Sequence, residues 1–223
     1  MRFGGWLSRR DIVNAVRAVA RYCSAPKMVY WKAALGILWY AVRTSSFRIT
    51  FQRGAVEGFH LVSFVDADYA SKATDSRSVS GRVVMCAGGP VSWHSKTHEC
   101  LTLSTTQAEC VAMSDMGKDI LFLRQVWCFM LPKARMPCIV MWEDNEGAIQ
   151  IAKHPISNSN SKHIDVRHHF LREMVERKEI EIIHVASQYQ HADFLTKALP
   201  ETEFEFHRGI VNEFDVISLS DSV

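Results

Sequence analysis

The stretch that decides the fold is an apolar run that ends in two carboxylates, Phe59-His60-Leu61-Val62-Ser63-Phe64-Val65-Asp66-Ala67-Asp68. Apolar residues dominate this run, as in a strand that is buried on both faces of a sheet. A carboxylate at the end of such a strand lies at the edge of the sheet where open α/β folds bind their ligands. We therefore predict a buried strand over 59–65 that carries Asp66 and Asp68 at its C-terminal end.

Regular patterns surround this strand on both sides. Upstream, apolar residues at three- and four-residue spacing predict amphipathic helices over 10–23 and 28–42. Downstream, the patterns predict a hairpin over 79–96 with its turn at 87–89, and strands over 138–142 and 179–185. Helices are predicted over 104–130, 148–153 and 165–177, and a final helix is predicted to begin over 191–198. This order predicts an α/β fold, a mixed five-stranded sheet flanked by helices and preceded by a short helical segment.

Length and composition are those of a folded protein. The chain has 223 residues, of which 48% are hydrophobic and 22% charged, enough for one domain with an appended segment. No apolar stretch approaches the roughly 20 residues that a membrane-spanning helix needs, so we expect no membrane partner. The six cysteines form no C-x-x-C pair, and we interpret most of them as small buried hydrophobic residues in a reducing compartment.

Charge is divided unevenly along the chain. Residues 1–60 contain ten Lys and Arg against two acids, a balance of +8, whereas the remainder carries 16 basic and 22 acidic residues, a balance of −6. A basic arm beside an acidic body is one way to hold a polyanion next to carboxylates that would otherwise repel it. The alternative is that the cations only cover the solvated faces of two helices.

Four carboxylates occupy positions that this topology brings to one edge of the sheet. Asp66 ends the first strand and Asp144 the fourth, while Glu109 lies one turn into the long helix and Asp193 opens the last one. Taken singly, each could be a strand-end, helix-start or surface acid. Together, several anions in one crevice repel each other unless cations neutralise them. Oxygen ligands favour Mg²⁺ or Mn²⁺, and two such ions about 4 Å apart promote in-line attack on a phosphodiester.

The body of the chain also contains a series of short motifs. They are Asp66-Ala67-Asp68-Tyr69-Ala70, Asp75-Ser76-Arg77-Ser78-Val79-Ser80-Gly81, Val91-Ser92-Trp93-His94-Ser95-Lys96, Leu103-Ser104-Thr105-Thr106-Gln107-Ala108-Glu109, Glu143-Asp144-Asn145, Lys162-His163-Ile164-Asp165-Val166-Arg167-His168-His169-Phe170 and Ala192-Asp193-Phe194-Leu195-Thr196-Lys197. In order and spacing they resemble the RNase H domain of copia-type retrotransposon Pol polyproteins. The upstream segment, from Arg10-Asp11-Ile12 to Phe51-Gln52-Arg53-Gly54, resembles the end of the reverse-transcriptase part that precedes this domain.

The resemblance implies three regions and a metal centre. Residues 1–57 would be a helical remnant of the reverse transcriptase, 58–200 the RNase H-like domain, and 201–223 a C-terminal helix and tail. Asp66 would bridge two Mg²⁺ ions, which Mn²⁺ can replace, and Glu109, Asp144 and Asp193 would complete their coordination. Asp68 would support these ligands without contacting the metal.

The resemblance also implies contacts with an RNA/DNA hybrid. Arg77 and Lys96 would contact phosphates, and Ser78, Ser80 and Asn145 would hydrogen-bond to the hybrid backbone or its 2′-hydroxyls. The alternative for these five residues is ordinary loop polarity.

Several residues depart from the family pattern or suggest other functions. Gln107 stands where the family usually has Glu, and His191 replaces a usual apolar residue. Cellular members of the wider fold use a mobile His, on a longer loop before the last Asp, to assist product release. The 187–190 loop here is short and lacks a His, so His184 or His191 would have to replace it, with a structural role as the alternative for each. His163, His168 and His169 raise the question of zinc, but no Cys accompanies them.

The resemblance predicts a metal-dependent endonuclease that hydrolyses the RNA strand of RNA/DNA hybrids during retrotransposon reverse transcription. Its partners would be the hybrid and the remaining reverse-transcriptase and integrase parts of Pol, in a cytoplasmic virus-like particle or in the nucleus. One alternative is an inactive or adopted retrotransposon relic that binds nucleic acid or protein without catalysis, and another is a structural role in support of the polymerase. The presence of all four acids favours the enzyme.

Overall fold

The computed structural model describes residues 9–47, 49, 51, 61–70, 76–133, 136–154 and 162–212. Eleven helices and strands lie within these ranges, together with three short 3-10 turns at Arg10–Ile12, Ser187–Tyr189 and Asp193–Leu195. In chain order they are α1 (Val13–Ala20), α2 (Met28–Arg43), β1 (Leu61–Asp68), β2 (Val79–Cys86), β3 (Gly89–Thr97), α3 (Thr105–Met130), β4 (Ile139–Glu143), α4 (Glu146–Lys153), α5 (Lys162–Glu176), β5 (Ile180–His184) and α6 (Glu201–Asn212).

The five strands form one mixed sheet in the order β3-β2-β1-β4-β5. β1 pairs antiparallel with β2 and parallel with β4, so it is the strand at which the direction of pairing changes. The β2–β3 hairpin turns through Ala87 and Gly88, which have φ angles of 48° and 80°. A two-residue hairpin turn with both φ angles positive matches the twist of the flanking strands. The predicted α/β class and the five-stranded mixed sheet are confirmed.

Two apolar clusters cover the two faces of the sheet. On one face, Val65 and Met141 pack with buried residues of α3, α4 and α5. On the other, Phe64 and Trp142 pack with Leu195 of the 193–195 turn and with α6. Because neighbouring strand residues point to opposite faces, Asp66 lies on the same face as Phe64, towards the 193–195 turn.

The N-terminal helices are fastened to the sheet. Arg17 on α1 donates from Nε to Ser95 Oγ on β3 at 2.9 Å, and Asn14 donates to the carbonyl of Lys197 at 3.1 Å. Tyr40 on α2 accepts from Arg208 on α6 at 3.0 Å. The predicted region boundary at 57/58 lies outside the described residues and stays a prediction.

The α1–α2 pair also carries a large apolar surface. A groove of about 460 Å³ runs between the two helices, lined by aliphatic and aromatic side chains. Trp31 and Leu38, which line it, are 58% and 59% exposed, and the nearby Trp39 is 67% exposed. Such a contiguous apolar patch is typical of an interaction surface.

Three details differ from the sequence predictions. β1 runs through Asp68, so Asp66 is an interior strand residue and not its end. The helix predicted to begin over 191–198 is only the 193–195 turn; the next helix, α6, starts after Pro200, because a residue before proline disfavours the α conformation.

Cys86 and Cys110 are buried, Cys100 is half-buried, and Cys23, Cys128 and Cys138 are exposed. Cys128 lies on α3, whereas Cys23 follows α1 and Cys138 precedes β4. Because only two of the six are buried, the prediction that most cysteines are buried is wrong.

Among the described residues, no helix is long and apolar enough to cross a membrane.

Candidate active site

Asp66 lies at the centre of the site, within the sheet itself. It pairs with Gly81 of β2, and it is only 3% exposed. The hydroxyl of Thr196 donates a hydrogen bond to Asp66 Oδ2. Burial raises the pKa of Asp66, because a carboxylate in an apolar environment loses its hydration.

Glu109 reaches the site from the first turns of α3. This helix begins where the sequence predicted, since Ser104 accepts a hydrogen bond from the backbone NH of Gln107 and Gln107 accepts one from Leu103, a reciprocal capping arrangement. The Gln that replaces the usual Glu therefore still caps the helix. Glu109 is 5% exposed, and its Oε2 has no hydrogen-bond partner among the described residues. Burial, and next the charge of Glu143, raise the pKa of Glu109 well above its ordinary value.

Asp144 follows β4 immediately and is held between two elements. On one side Asn145 caps α4, because its Oδ1 accepts a hydrogen bond from the backbone NH of Ala148 at 2.9 Å. On the other side the hydroxyl of Ser187 donates to Asp144 Oδ2 at 2.7 Å. Asp144 is half-buried, so it is more accessible than Asp66 or Glu109.

These three carboxylates form one cluster. One oxygen from each of Asp66, Glu109 and Asp144 lies within 4.8 Å of the other two. It is the one group of at least three potential ligands found within the part of the chain that the structure describes. An all-oxygen donor set with two buried members and an unpartnered oxygen on Glu109 fits a hard divalent cation such as Mg²⁺ or Mn²⁺.

Asp193 stands beside the cluster in the 193–195 turn. Its Oδ2 pairs with Lys197 Nζ at 2.9 Å, and its Oδ1 has no hydrogen-bond partner among the described residues. Burial, and next the charge of Asp66, raise the pKa of Asp193 to about 7. Asp193 therefore interacts electrostatically with the cluster, although it does not belong to the three-carboxylate group.

Lys197 is a site residue that was not among the predicted ones. Although burial lowers its pKa, the carboxylates of Asp66 and Asp193 raise it overall, so the ammonium group is charged and offsets part of the repulsion. The spacing of Asp193 and Lys197, four residues apart in one turn of chain, was the available signal.

Two further buried side chains were also missed. Glu143 is fully buried, accepts a hydrogen bond from the NH of Asn145 at 3.0 Å, and has its pKa raised well above the ordinary value by burial. Gln190 donates to the carbonyl of Val65 at 2.9 Å and is also fully buried. The alternation of β4 was a usable signal for Glu143, but no local pattern indicated Gln190.

The predicted nucleic-acid contacts divide into two groups. Arg77 is exposed, and Lys96 is half exposed and paired with Glu99 at 2.9 Å. Ser78 and Ser80 are both buried: the Ser78 hydroxyl bonds to Thr102 Oγ1 at 2.9 Å and the Ser80 hydroxyl bonds to His98. Their contacts with a hybrid stay predictions. Asn145 keeps its position beside Asp144, but its Oδ1 is used as a helix cap.

Asp68 ends β1 and lines a polar groove with Arg17, Arg21 and Lys197. It lies outside the three-carboxylate group, and its supporting role stays a prediction.

Of the two histidines considered for product release, His191 has the environment of a structural residue, whereas His184 does not. His191 is buried, its Nδ1 lies 2.9 Å from His207 Nδ1, and its ring packs edge-on against Phe64. His184 is exposed at the end of β5. On α5, His168 is buried and His169 is exposed. These two neighbouring residues therefore lie in different environments. The side chain of His163 lies outside the described residues.

No protein-family model matches the chain. Curated relatives do: it is 32% identical over 205 residues to the retrovirus-related Pol polyprotein from transposon TNT 1-94 of Nicotiana tabacum, covering 92% of this chain and 15% of that protein. It is 30% identical over 207 residues to the corresponding polyprotein from transposon RE2 of Arabidopsis thaliana, covering 91% and 14%. It is also 32% identical over 117 residues to secreted RxLR effector protein 161 of Plasmopara viticola, covering 52% of this chain and 81% of that protein.

Among solved structures, the chain is similar to LC11-RNase H1, isolated from compost by a metagenomic approach, with 13% identity and a TM-score of 0.47 over 61% of this chain and 92% of that one. It is also similar to RNase H1 of Halobacterium salinarum, with 15% identity and a TM-score of 0.44 over 60% and 90%.

The strand order, the change of pairing direction at β1 and the carboxylates on β1, on α3 and directly after β4 define an RNase H-like domain. This chain belongs to the retrovirus-related Pol polyproteins of copia-type transposons. It spans about 15% of the length of its Nicotiana tabacum relative.

Proposed function

We propose that the chain is a metal-dependent endonuclease that hydrolyses the RNA strand of RNA/DNA hybrids during retrotransposon reverse transcription. The observation that carries this proposal is the cluster of Asp66, Glu109 and Asp144, whose oxygens lie within 4.8 Å of one another. The similarity to retrovirus-related Pol polyproteins supports a role in retrotransposon reverse transcription. Asp193, whose pKa is raised by burial and by the charge of Asp66, would be the fourth acid of the site.

The residues present suit two divalent cations. Asp66, Glu109, Asp144 and Asp193 are the residues that would hold them. When bound, such ions lower the pKa of an attacking water and stabilise the leaving oxygen. The water oxygen would form a bond to phosphorus as the bond from phosphorus to the 3′-oxygen breaks, leaving a 3′-hydroxyl and a 5′-phosphate.

The protein's own residues fix the positions of the charged side chains at the site. Thr196 orients Asp66, Ser187 contacts Asp144, and Lys197 pairs with Asp193. Because Asp66 and Glu109 are almost fully buried, water competes little for their oxygens and their interaction with a cation is strong. Fixed groups of this kind need little reorganisation during the reaction.

The hybrid would reach the site along the polar groove between α1 and the 193–197 segment. This groove is lined by Arg17 of α1, by Arg21 directly after this helix, by Asp68 and by Lys197. Arg17 is bonded to Ser95 and Asn14, and Arg21 lies over the ring of Tyr22; Arg21 is the cation of this groove that would meet a phosphate. Part of the basic arm is thus used in folding: Arg9 pairs with Asp11 at 2.8 Å, and Arg10 is 3% exposed.

A cleavage assay tests the proposal. The chain should cut a labelled RNA/DNA hybrid in Mg²⁺ or Mn²⁺ and leave duplex DNA and duplex RNA intact. Calcium should bind but support little turnover, because its looser coordination does not hold the attacking water in line. Equal rates in EDTA and Mg²⁺ would refute the metal mechanism.

The second candidate is a retrotransposon-derived protein that keeps the fold and binds nucleic acid or protein without catalysis. The observation that favours it is the likeness, over about half of this chain, to a protein described as a secreted effector. Binding of the hybrid without cleavage in any of the three metals would support this candidate over the enzyme.

The further partners would be the reverse-transcriptase and integrase parts of Pol. The apolar face of α1 and α2 around Trp31, Leu38 and Trp39 is the surface on which the reverse-transcriptase part would pack. A separately produced reverse-transcriptase segment should bind the wild type and not a Leu38→Glu variant, and equal binding would contradict this assignment. The protein would be located in a cytoplasmic virus-like particle or in the nucleus. Cell fractionation would distinguish these two locations.

A further inference from the structure

Ser187 is a surface serine whose side chain hydrogen-bonds to a carboxylate of the cluster. Its Oγ donates to Asp144 Oδ2 at 2.7 Å, although Ser187 itself is exposed. A surface hydroxyl has water as an alternative partner, so burial does not require this bond. The two residues are 43 positions apart, and the tertiary structure has to bring them together.

The loop that carries Ser187 is anchored at both ends to the strands of the site. Before the loop, the NH of Val185 donates to the carbonyl of Glu143 at 3.0 Å. After it, the fully buried Gln190 donates to the carbonyl of Val65 at 2.9 Å. These anchor points adjoin Asp144 and Asp66 in the chain, so the backbone of the loop is fixed relative to both carboxylates.

Within the loop, local hydrogen bonds limit movement further. The NH of Tyr189 donates to the carbonyl of Ala186 at 2.7 Å, and the NH of Gln190 donates to the carbonyl of Ser187 at 3.1 Å. The backbone of Ser187 is therefore held in a 3-10 turn, and its hydroxyl is presented to Asp144 from a rigid support.

Asp144 is the member of the cluster that most needs such support. It is half-buried, whereas Asp66 and Glu109 are almost fully buried. A more exposed carboxylate rotates more freely, and that freedom is lost when it binds a metal. An ionised carboxylate has about four lone-pair sites, so a hydroxyl bound to one oxygen leaves others for a cation.

We propose that Ser187 is a positioning residue, which fixes the rotation of the Asp144 carboxylate and so strengthens the binding of a divalent cation by the cluster. This inference rests on the proposed function, since it assumes that the cluster holds metal. Groups that hydrogen-bond to a metal-binding carboxylate typically change metal affinity by about 10- to 100-fold.

The test is a comparison of three variants of the full chain. Mn²⁺ binding is measured by calorimetry without nucleic acid, and folding by thermal unfolding in EDTA. Ser187→Ala should bind Mn²⁺ about tenfold more weakly with an unchanged Tm, because the serine is exposed. Ser187→Thr keeps the hydroxyl and should bind almost as the wild type does. Gln188→Ala, an exposed change in the same loop, should have no effect.

A second readout uses cleavage. In Ser187→Ala the Mg²⁺ concentration needed for half-maximal cleavage should rise about tenfold, while the rate at saturating Mg²⁺ is nearly unchanged. Equal or tighter Mn²⁺ binding by Ser187→Ala would overturn the inference, since the hydroxyl would then be neutral or compete with the metal. If the wild type binds no Mn²⁺, the proposed metal function fails as well, and the two failures are distinguished by the wild-type titration.

Discussion

Gly81 of β2 lies directly beneath the turn that carries Asp193, so closely that a Cβ atom at residue 81 would come within 2.7 Å of the carbonyl oxygen of Ala192. The same atom would also lie 2.7 Å from the Thr196 methyl group and 2.9 Å from Leu195 Cβ. Gly81 is the pairing partner of Asp66 in the sheet. The absence of a side chain here therefore sets the distance between the strand of Asp66 and the turn of Asp193.

Gly81→Ala should consequently affect stability and metal binding together. Contacts below 3 Å force the 193–195 turn away from the sheet, and overpacking of this kind costs about 1–3 kcal/mol. We expect a lower free energy of unfolding and weaker Mn²⁺ binding, measured by denaturant unfolding and calorimetry. Gly36→Ala in α2 is the control, because a Cβ there meets nothing within 4 Å. It should stabilise the chain by about 0.5–1 kcal/mol. Equal effects of the two changes would contradict the packing argument.

Asp144→Asn should separate metal binding from folding. The change keeps the size of the side chain and its acceptor for Ser187, but it removes a negative charge from the cluster. Metal affinity and hybrid cleavage should fall on the order of a hundredfold or more, while the Tm in EDTA stays the same or rises as repulsion is relieved. Glu176→Gln, an exposed carboxylate at the end of α5, should change neither. Full cleavage by Asp144→Asn would show that Asp144 is not a ligand.

Asp193 should make the metal-free protein less stable as pH rises. Its pKa is about 7 in the folded state and about 3.9 when unfolded. Between those values the folded state keeps a proton that the unfolded state has lost, so stability falls as pH rises from about 4 to 7. Asp193→Asn has no such proton, and its Tm should exceed that of the wild type at pH 8 but not at pH 4.5.

The comparison with the variant is needed because two histidines act in the opposite direction. The pKa of His191 is lowered to about 3 and that of His207 to about 4, in both cases mainly by burial. The unfolded state takes up their protons below about pH 6.5, so this contribution to stability is lost as pH falls. Thermal unfolding of wild type and variant in EDTA across this range gives the difference. Parallel curves would refute the assignment to Asp193.

Arg21→Gln should weaken hybrid binding and reduce its dependence on salt. Arg21 lines the polar groove beside Lys197, and each phosphate contact contributes about 0.9 to the slope of log K against log salt. Lys32→Gln is the control, since Lys32 is exposed on α2 and outside the groove. Binding is measured by fluorescence anisotropy at several salt concentrations. Equal slopes for Arg21→Gln and the wild type would mean that Arg21 does not contact a phosphate of the hybrid.

Local patterns in the sequence determined the helices, the strands and four of the site residues. The Ser104 cap, the hairpin turn and the apolar run before Asp66 depend on residues only a few positions apart, so they could be recognised without the fold. The same holds for Glu109 near the start of α3 and Asp144 directly after β4, whereas Asp66 lies inside β1 and Asp193 in a 3-10 turn. The resemblance to a known family then connected these positions to one chemistry.

The tertiary structure alone decided which side chains face the site and which are buried. Ser78 and Ser80 have the polar character of nucleic-acid contacts, yet packing against Thr102 and His98 places them in the interior. Lys197 joins the cluster because the 193–197 segment turns back over Asp66. The bonds from Ser187 to Asp144 and from Gln190 to Val65 span 43 and 125 positions. Such contacts form only when the sheet and its connections pack together, and no pattern of neighbouring residues encodes them.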